Sequence, residues 1–187
     1  MRTRLVVLAT AVAVLAIGYS LRQPAVPPAA AAPLRALCGS ERWSVKTFSD
    51  ADRFKVDLTP RSRTIKQLNA LVKPTKLPAT GRVPAELKVY RVTATVTATI
   101  NENDSDVHLA LMAADGSTLI AEAPEPACSV NARDRAAINS ARLVAQGVRV
   151  SDKVVAVGVG FFDFPHNQTG RAKNQIELHP LISLRRL

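Results

Sequence analysis

The chain has 187 residues, 25 basic and 15 acidic, and only 4% are aromatic. That length allows one domain with appendages. The net charge of +10 favours anionic partners such as an anionic polymer, nucleic acid or lipid headgroups, while the scarcity of aromatics argues against a binder that stacks single-stranded bases.

Residues 1–5 carry two arginines and no acid, and residues 5–19 form an unbroken apolar run. Such a run has the length of a signal-peptide core and is short for a membrane span. Ala30-Ala31-Ala32 then offers a small-residue cleavage site. Residues 1–32 are therefore expected to be a signal peptide or N-terminal anchor with an Ala/Pro linker, and an uncleaved segment would be the chain's one contact with a membrane. Either way the protein is expected to be secreted or extracytoplasmic, in the periplasm or cell envelope. Residues 1–32 hold three of the 25 basic residues and none of the acids, which leaves 22 against 15, a net charge of +7. Cys38 and Cys128 are the only cysteines. In an oxidising compartment a disulfide between them is the default, worth on the order of 4 kcal/mol.

Residues 33–85 read as an irregular arm tied back through Cys38, with Pro60, Pro74, Pro78 and Pro84 interrupting any regular element. Residues 86–187 are far more regular. Over residues 90–100 the even positions are Tyr90, Val92, Ala94, Val96, Ala98 and Ile100, and threonines and Arg91 occupy the odd ones. That period of two predicts a long strand with one wet face. A second strand is predicted over 107–112 and a third over 118–123, joined by an Asp115-Gly116 hairpin turn. Residues 132–146 read as a helix with Asn131 as N-cap and Gly147 as its stop. A fourth strand over 154–164 has Gly158 and Gly160 on one face, where a neighbouring backbone can come close. A polar loop over 166–175 leads to a fifth strand over 176–184. Three strands, a helix and two strands predict a mainly β domain, a small five-stranded OB-like barrel with one helix between strands 3 and 4.

Alternation places Val107, Leu109 and Leu111 in the core, so His108 lies off it. The same parity sets Glu122, Glu177 and His179 off the core, and neighbouring strands lie about 4.8 Å apart. These four residues are expected to form one polar strip across three strands. The flanking loops supply Glu102, Asp104 and Asp106 on one side. On the other they supply His166, Arg171, Lys173 and Asn174, beside Asn167 and Gln168. No P-loop, G-x-S-x-G, H-E-x-x-H or paired C-x-x-C is present.

Residues 90–128, with their strand, Asp104-Ser-Asp106 loop, strand, Gly turn and strand ending at Glu122-Ala-Pro-Glu125, resemble the first half of the thermonuclease (staphylococcal-nuclease-like) fold. The resemblance implies Asp104, Asp106 and Glu122 as Ca²⁺ ligands, but the third strand lacks the arginine that family uses for phosphate. Four segments carry a broader resemblance: Arg42-Trp43-Ser-Val-Lys46-Thr, Asp106-Val-His108-Leu, Gly160-Phe-Phe-Asp163-Phe-Pro-His166 and Asn174-Gln-Ile-Glu177-Leu-His179-Pro180. They resemble a family of small exported bacterial proteins over about residues 38–184, a resemblance that implies no activity.

Two functions fit these residues. The leading expectation is a non-enzymatic binding module without a cofactor, engaging an anionic or extended polar ligand through His108, Glu122, His166, Arg171, Lys173, Asn174, Glu177 and His179. The alternative is a metal-dependent hydrolase of phosphodiesterase or nuclease type. It would hold a divalent metal, Zn or Ca, through Asp104, Asp106, His108, Glu122, His166 and His179.

Overall fold

The computed structural model describes residues 38–39, 41–165 and 167–187. The export segment and linker expected over residues 1–32, and His166, lie outside them. In chain order the elements are α1 (Trp43–Lys46), a 3-10 turn (Ala51–Lys55), β1 (Asp57–Ser62), α2 (Ile65–Asn69) and a second 3-10 turn (Pro84–Leu87). β2 (Lys88–Asn101), β3 (Val107–Met112), β4 (Thr118–Ala123), α3 (Arg135–Gln146), β5 (Lys153–Phe162) and β6 (Ile176–Arg186) follow.

The strands run in the order β1-β2-β3-β4-β6-β5, and β5 returns to pair with β2. The length of β2 makes this closure possible: residues 89–95 pair with β5 and residues 95–101 with β3. Five strands, β2 to β6, thus close a barrel, with α3 between the third and fourth of them. The period-two pattern of β2 puts Val92, Ala94 and Val96 inside, against Leu109, Leu111, Leu119, Ala121, Phe162 and Leu178. Ile65 and Leu68 of α2 and Ala141 and Ala145 of α3 pack into the same core. The glycine side of β5 faces this interior. A Cβ on Gly158 would stand 2.8 Å from Leu178 Cβ and 2.9 Å from the Pro180 carbonyl, so only glycine lets β6 pass this close.

Two details of the sequence reading change. The helix begins at Arg135 rather than residue 132, and its N-cap is Asp134, at φ 59°, rather than Asn131; Gly147 does cap its C-terminus. The arm is also less irregular than its prolines suggest, because β1 adds to the barrel as a parallel neighbour of β2. β1 is mostly solvent-exposed, so β2, not an apolar face of its own, holds it in place.

The disulfide Cys38–Cys128 closes a loop of 90 positions and ties the start of the arm to the segment before α3. Beyond it, one buried arginine fixes the arm against the barrel and a second ties the arm to itself. Arg42 donates to Glu86 through Nη1 at 2.6 Å and Nη2 at 2.7 Å, and also to the carbonyls of Pro78, Gly81 and Phe162. Arg82 grips Asp50, with Nη2–Oδ2 at 2.6 Å, and donates to the Val45 carbonyl. Phe48 and Val56 of the arm pack with Val89, Val157 and Val159 in a second apolar cluster on the outer wall.

Candidate functional site

Alternation along β3, β4 and β6 turns His108, Glu122, Glu177 and His179 away from the barrel interior. Register then lines them up. His108 lies opposite Glu122 on β4, and β4 pairs in parallel with β6 through Ile120 and Glu177. Two residues further along both strands, Glu122 meets His179. On an open sheet this strip would be wet; here the β5–β6 loop, the β2–β3 loop and Lys46 of the arm close over it. Exposure is 0% for His108, 3% for Glu122, 2% for Glu177 and 0% for His179.

Glu122 is the hub. Its Oε1 lies 2.9 Å from His108 Nδ1 and its Oε2 2.9 Å from His179 Nδ1. The other nitrogen of His108 sits 2.9 Å from the Thr169 carbonyl, and since a carbonyl only accepts, Nε2 carries a proton. Thr169 reaches that position because Gly170, at φ +84°, lets the β5–β6 loop press onto β3; a Cβ there would stand 2.4 Å from Ala110 Cβ. His179 is held differently. Its Nε2 lies 3.4 Å from Asp106 Oδ2. Despite these short distances neither ring nitrogen has a hydrogen bond of good alignment, and Glu177 Oε2 has none either.

The loop between β2 and β3 brings further carboxylates. Glu102 Oε1 lies 3.3 Å from His108 Nδ1 at the rim. Asp106 accepts from the Glu125 backbone through Oδ1 at 2.8 Å, which leaves Oδ2 to face the histidine. Arg142 of α3 steadies this loop by donating to the carbonyls of Ser105 and Ala123. Lys46 enters from the arm, its Nζ 3.7 Å from Asp163 and 5.6 Å from the Phe161 ring centroid.

The protonation of this nest follows from its crowding. Burial works to lower the His179 pKa, but Glu122 and Asp106 beside it prevail and push it up to about 10. Burial likewise opposes a charge on His108, and its contact with Glu122 raises its pKa all the same. Glu122 is pulled the other way: burial favours its neutral form, yet the two histidines hold its pKa well below the carboxylate range. For Glu177, burial and the neighbouring Glu122 and Asp163 act together and raise the pKa well above 4.5. Without a metal, the nest therefore holds positive charge as protons on its imidazoles.

Two sets of side chains bring one ligand atom each within 4.8 Å of one another: Asp106, Glu122 and His179, and Glu102, His108 and Glu122. A cleft of about 280 Å³ opens onto them, lined by Gly39, Lys46, Glu102, Asn103, Asp104, Glu122 and Gln168. Asp104, the third acid of the thermonuclease resemblance, lines this cleft but belongs to neither set.

No family model matches the chain, and no curated protein does. In fold it is similar to a solved chain assigned as an aspartyl-tRNA synthetase of Leishmania major Friedlin, with 13% identity and a TM-score of 0.44. That alignment covers 70% of this chain and 21% of the other, so the protein spans about a fifth of the length of what it matches.

Of the remaining candidates among the described residues, Arg171, Lys173 and Asn174 are placed elsewhere. Arg171 and Lys173 are exposed, and Lys173 lines a different cleft with Lys66, Asn69 and Asp115. Asn174 is used structurally: Nδ2 donates to the carbonyls of Leu68 and Leu71, and Oδ1 accepts from Ile176 N. Reading the sequence alone missed Lys46 and Asp163 as parts of the site, and named Glu102 only as a residue of the flanking loop. Lys46 and Asp163 stand inside two of the segments that carry the exported-family resemblance, the one signal that pointed to them.

Proposed function

We propose that this protein works outside the cytoplasm, binds a divalent metal ion in the nest around Glu122, and uses it as a metal-dependent hydrolase does. The observation that carries this is His179. It is fully buried and faces two carboxylates, with neither ring nitrogen in an aligned hydrogen bond. Buried polar groups are normally hydrogen-bonded. A cation on one nitrogen of His179 would draw on Glu122 and Asp106 as well, the other nitrogen keeping a proton towards the carboxylate it faces, and the cleft onto Glu122 would leave room for water or a polar ligand. The mixed imidazole–carboxylate donors suit Zn²⁺ or Mn²⁺ better than Ca²⁺, which prefers an all-oxygen shell. Six carboxylates gather here: Glu102, Asp104, Asp106, Glu122, Asp163 and Glu177. Those that stay ionised repel an anionic ligand beyond what Lys46 and the imidazole protons offset, which weighs against the cofactor-free module. Elemental analysis of protein purified without chelators tests the proposal: bound transition metal that His179→Ala removes supports it. A metal-free protein that takes up neither Zn²⁺ nor Mn²⁺ would overturn it.

A separate surface fits an anionic polymer. On the outer wall beside β1, Arg91 of β2 lies opposite Val157 of β5, which pairs with Ser183 of β6, and Thr93 opposite Val155, which pairs with Arg185. Arg63 lines a groove with Arg91 and Thr93, and Lys153 ends the patch. Among the described residues none of these four basic side chains meets an acid. With single-stranded DNA as probe, Arg91→Gln with Arg185→Gln should flatten the salt dependence by about 1.4, two contacts at roughly 0.7 each. If Arg171→Ala with Lys173→Ala does this instead, the β5–β6 loop is the polyanion surface.

A further inference from the structure

We infer that the nest is a dinuclear site in which the Glu122 carboxylate bridges two divalent ions, one on the His179 side and one on the His108 side. The inference rests on the metal-binding function proposed above and specifies how many ions the site takes and how they are shared.

The two sets of potential ligands overlap in Glu122 alone, and they meet different oxygens of it. His108 faces Oε1 and His179 faces Oε2, each at 2.9 Å. One ion drawing on both histidines would need both nitrogens on the same side of the carboxylate. A bridging carboxylate has this arrangement, one donor nitrogen beyond each oxygen.

His108 is oriented as metal-binding histidines are. Such residues commonly donate their second ring N–H to a carbonyl or carboxylate, which fixes the tautomer and aims the free nitrogen at the ion. Here Nε2 donates to the Thr169 carbonyl at 2.9 Å. With that tautomer, Nδ1 presents a lone pair to Glu122 Oε1, and two acceptors 2.9 Å apart require a cation or a proton between them. Glu102, at the rim 3.3 Å from the same nitrogen, completes the set of Glu102, His108 and Glu122. On the other side Asp106 joins Glu122 and His179, its second oxygen held by the Glu125 backbone; the ion takes one His179 nitrogen, and the other keeps a proton towards the carboxylate it faces.

Charge supports two ions over one. Against Glu102, Asp104, Asp106, Glu122 and Asp163, with burial favouring the neutral form of Glu177, Lys46 is the one lysine or arginine among the described residues lining the cleft. Each ion would have one imidazole and two carboxylates, one of them shared. Ions so bridged typically stand about 3.5–4 Å apart, and the open positions would face the cleft.

The test is titration of the chelator-treated protein with Mn²⁺, followed by calorimetry and electron paramagnetic resonance. The expected result is two ions per chain with an exchange-coupled spectrum. His108→Ala and, at the less buried rim, Glu102→Gln should each lower the stoichiometry towards one and leave an uncoupled ion. Binding of one ion, removed by His179→Ala but not by His108→Ala, would overturn the dinuclear site and leave the metal-binding function standing. Two ions without coupling would also overturn it, since the second would lie elsewhere. If no ion binds, both proposals fall.

Discussion

Replacing Arg42 with methionine should loosen the arm from the barrel before the barrel itself unfolds. The guanidinium makes two short bonds to Glu86, and the side chains are 2% and 0% exposed. Removing one partner of a buried pair strands the other charge, at about 3–5 kcal/mol. The carbonyls of Pro78, Gly81 and Phe162 lose a donor as well, which places the expected cost near the top of that range. For a chain of this size each kcal/mol moves Tm by about 2–4 °C, so a fall of roughly 8–20 °C is expected. The chain has one tryptophan, Trp43, beside Arg42 in the arm. Its fluorescence reports the arm while far-ultraviolet circular dichroism reports mainly the strands. In Arg42→Met the fluorescence transition should precede the dichroism one; in the parent the two should coincide. Glu86→Gln added to Arg42→Met should restore part of the loss, because a neutral amide needs no counter-charge. A single variant within about 1 kcal/mol of the parent, with coincident transitions, would refute the claim that this pair holds the arm.

Reduction should destabilise the protein by about 4–5 kcal/mol, given the 90-position loop. Calorimetry with and without reductant measures this, and two titratable thiols in the unfolded, unreduced chain would show that no bond exists. Gly170→Ala should cost about 2–5 kcal/mol from the positive φ and the contact with Ala110. Gly116→Ala, at φ +78° with nothing within 4 Å, should cost only about 1–2 kcal/mol; urea titration of both variants isolates the steric part. Displacing Thr169 from His108 should also weaken ion binding by roughly 10–100-fold, which calorimetric titration with Zn²⁺ would register. Unchanged affinity in Gly170→Ala would show that the Thr169 carbonyl does not orient the ring.

The barrel was legible because its strands carry their own periodicity. The second and third predicted strands match β3 and β4 at both ends, and the long first one differs from β2 only at its termini. β1 was not, since Asp57-Leu-Thr-Pro-Arg-Ser62 has no alternating apolar row and owes its conformation to β2. The site was half legible. Parity put His108, Glu122, Glu177 and His179 on one side of the wall, but parity cannot separate a wet face from a covered one. The cover is made by contacts distant in sequence, such as His108 with the Thr169 carbonyl and Lys46 with Asp163. Likewise, nothing local to residue 46 marks that lysine as a partner of Asp163.

The covered wall has a consequence for how the protein breathes. Amides exchange with solvent only when their stretch of structure opens, and exposed segments open most readily. Around the nest β3, β4 and β6 have apolar core on one side and the β5–β6 loop, the β2–β3 loop and Lys46 on the other, so the amides of His108, Glu122 and His179 should exchange among the slowest in the chain although they sit on the barrel's outside. Arg91 and Thr93, on the bare part of the same wall, have no such shield. A map of deuterium uptake would therefore divide the barrel by what lies over it rather than by strand. Protection around Glu122 should fall selectively in Arg42→Met, and the nest would then be open to ions and ligands in proportion to the time the arm spends lifted.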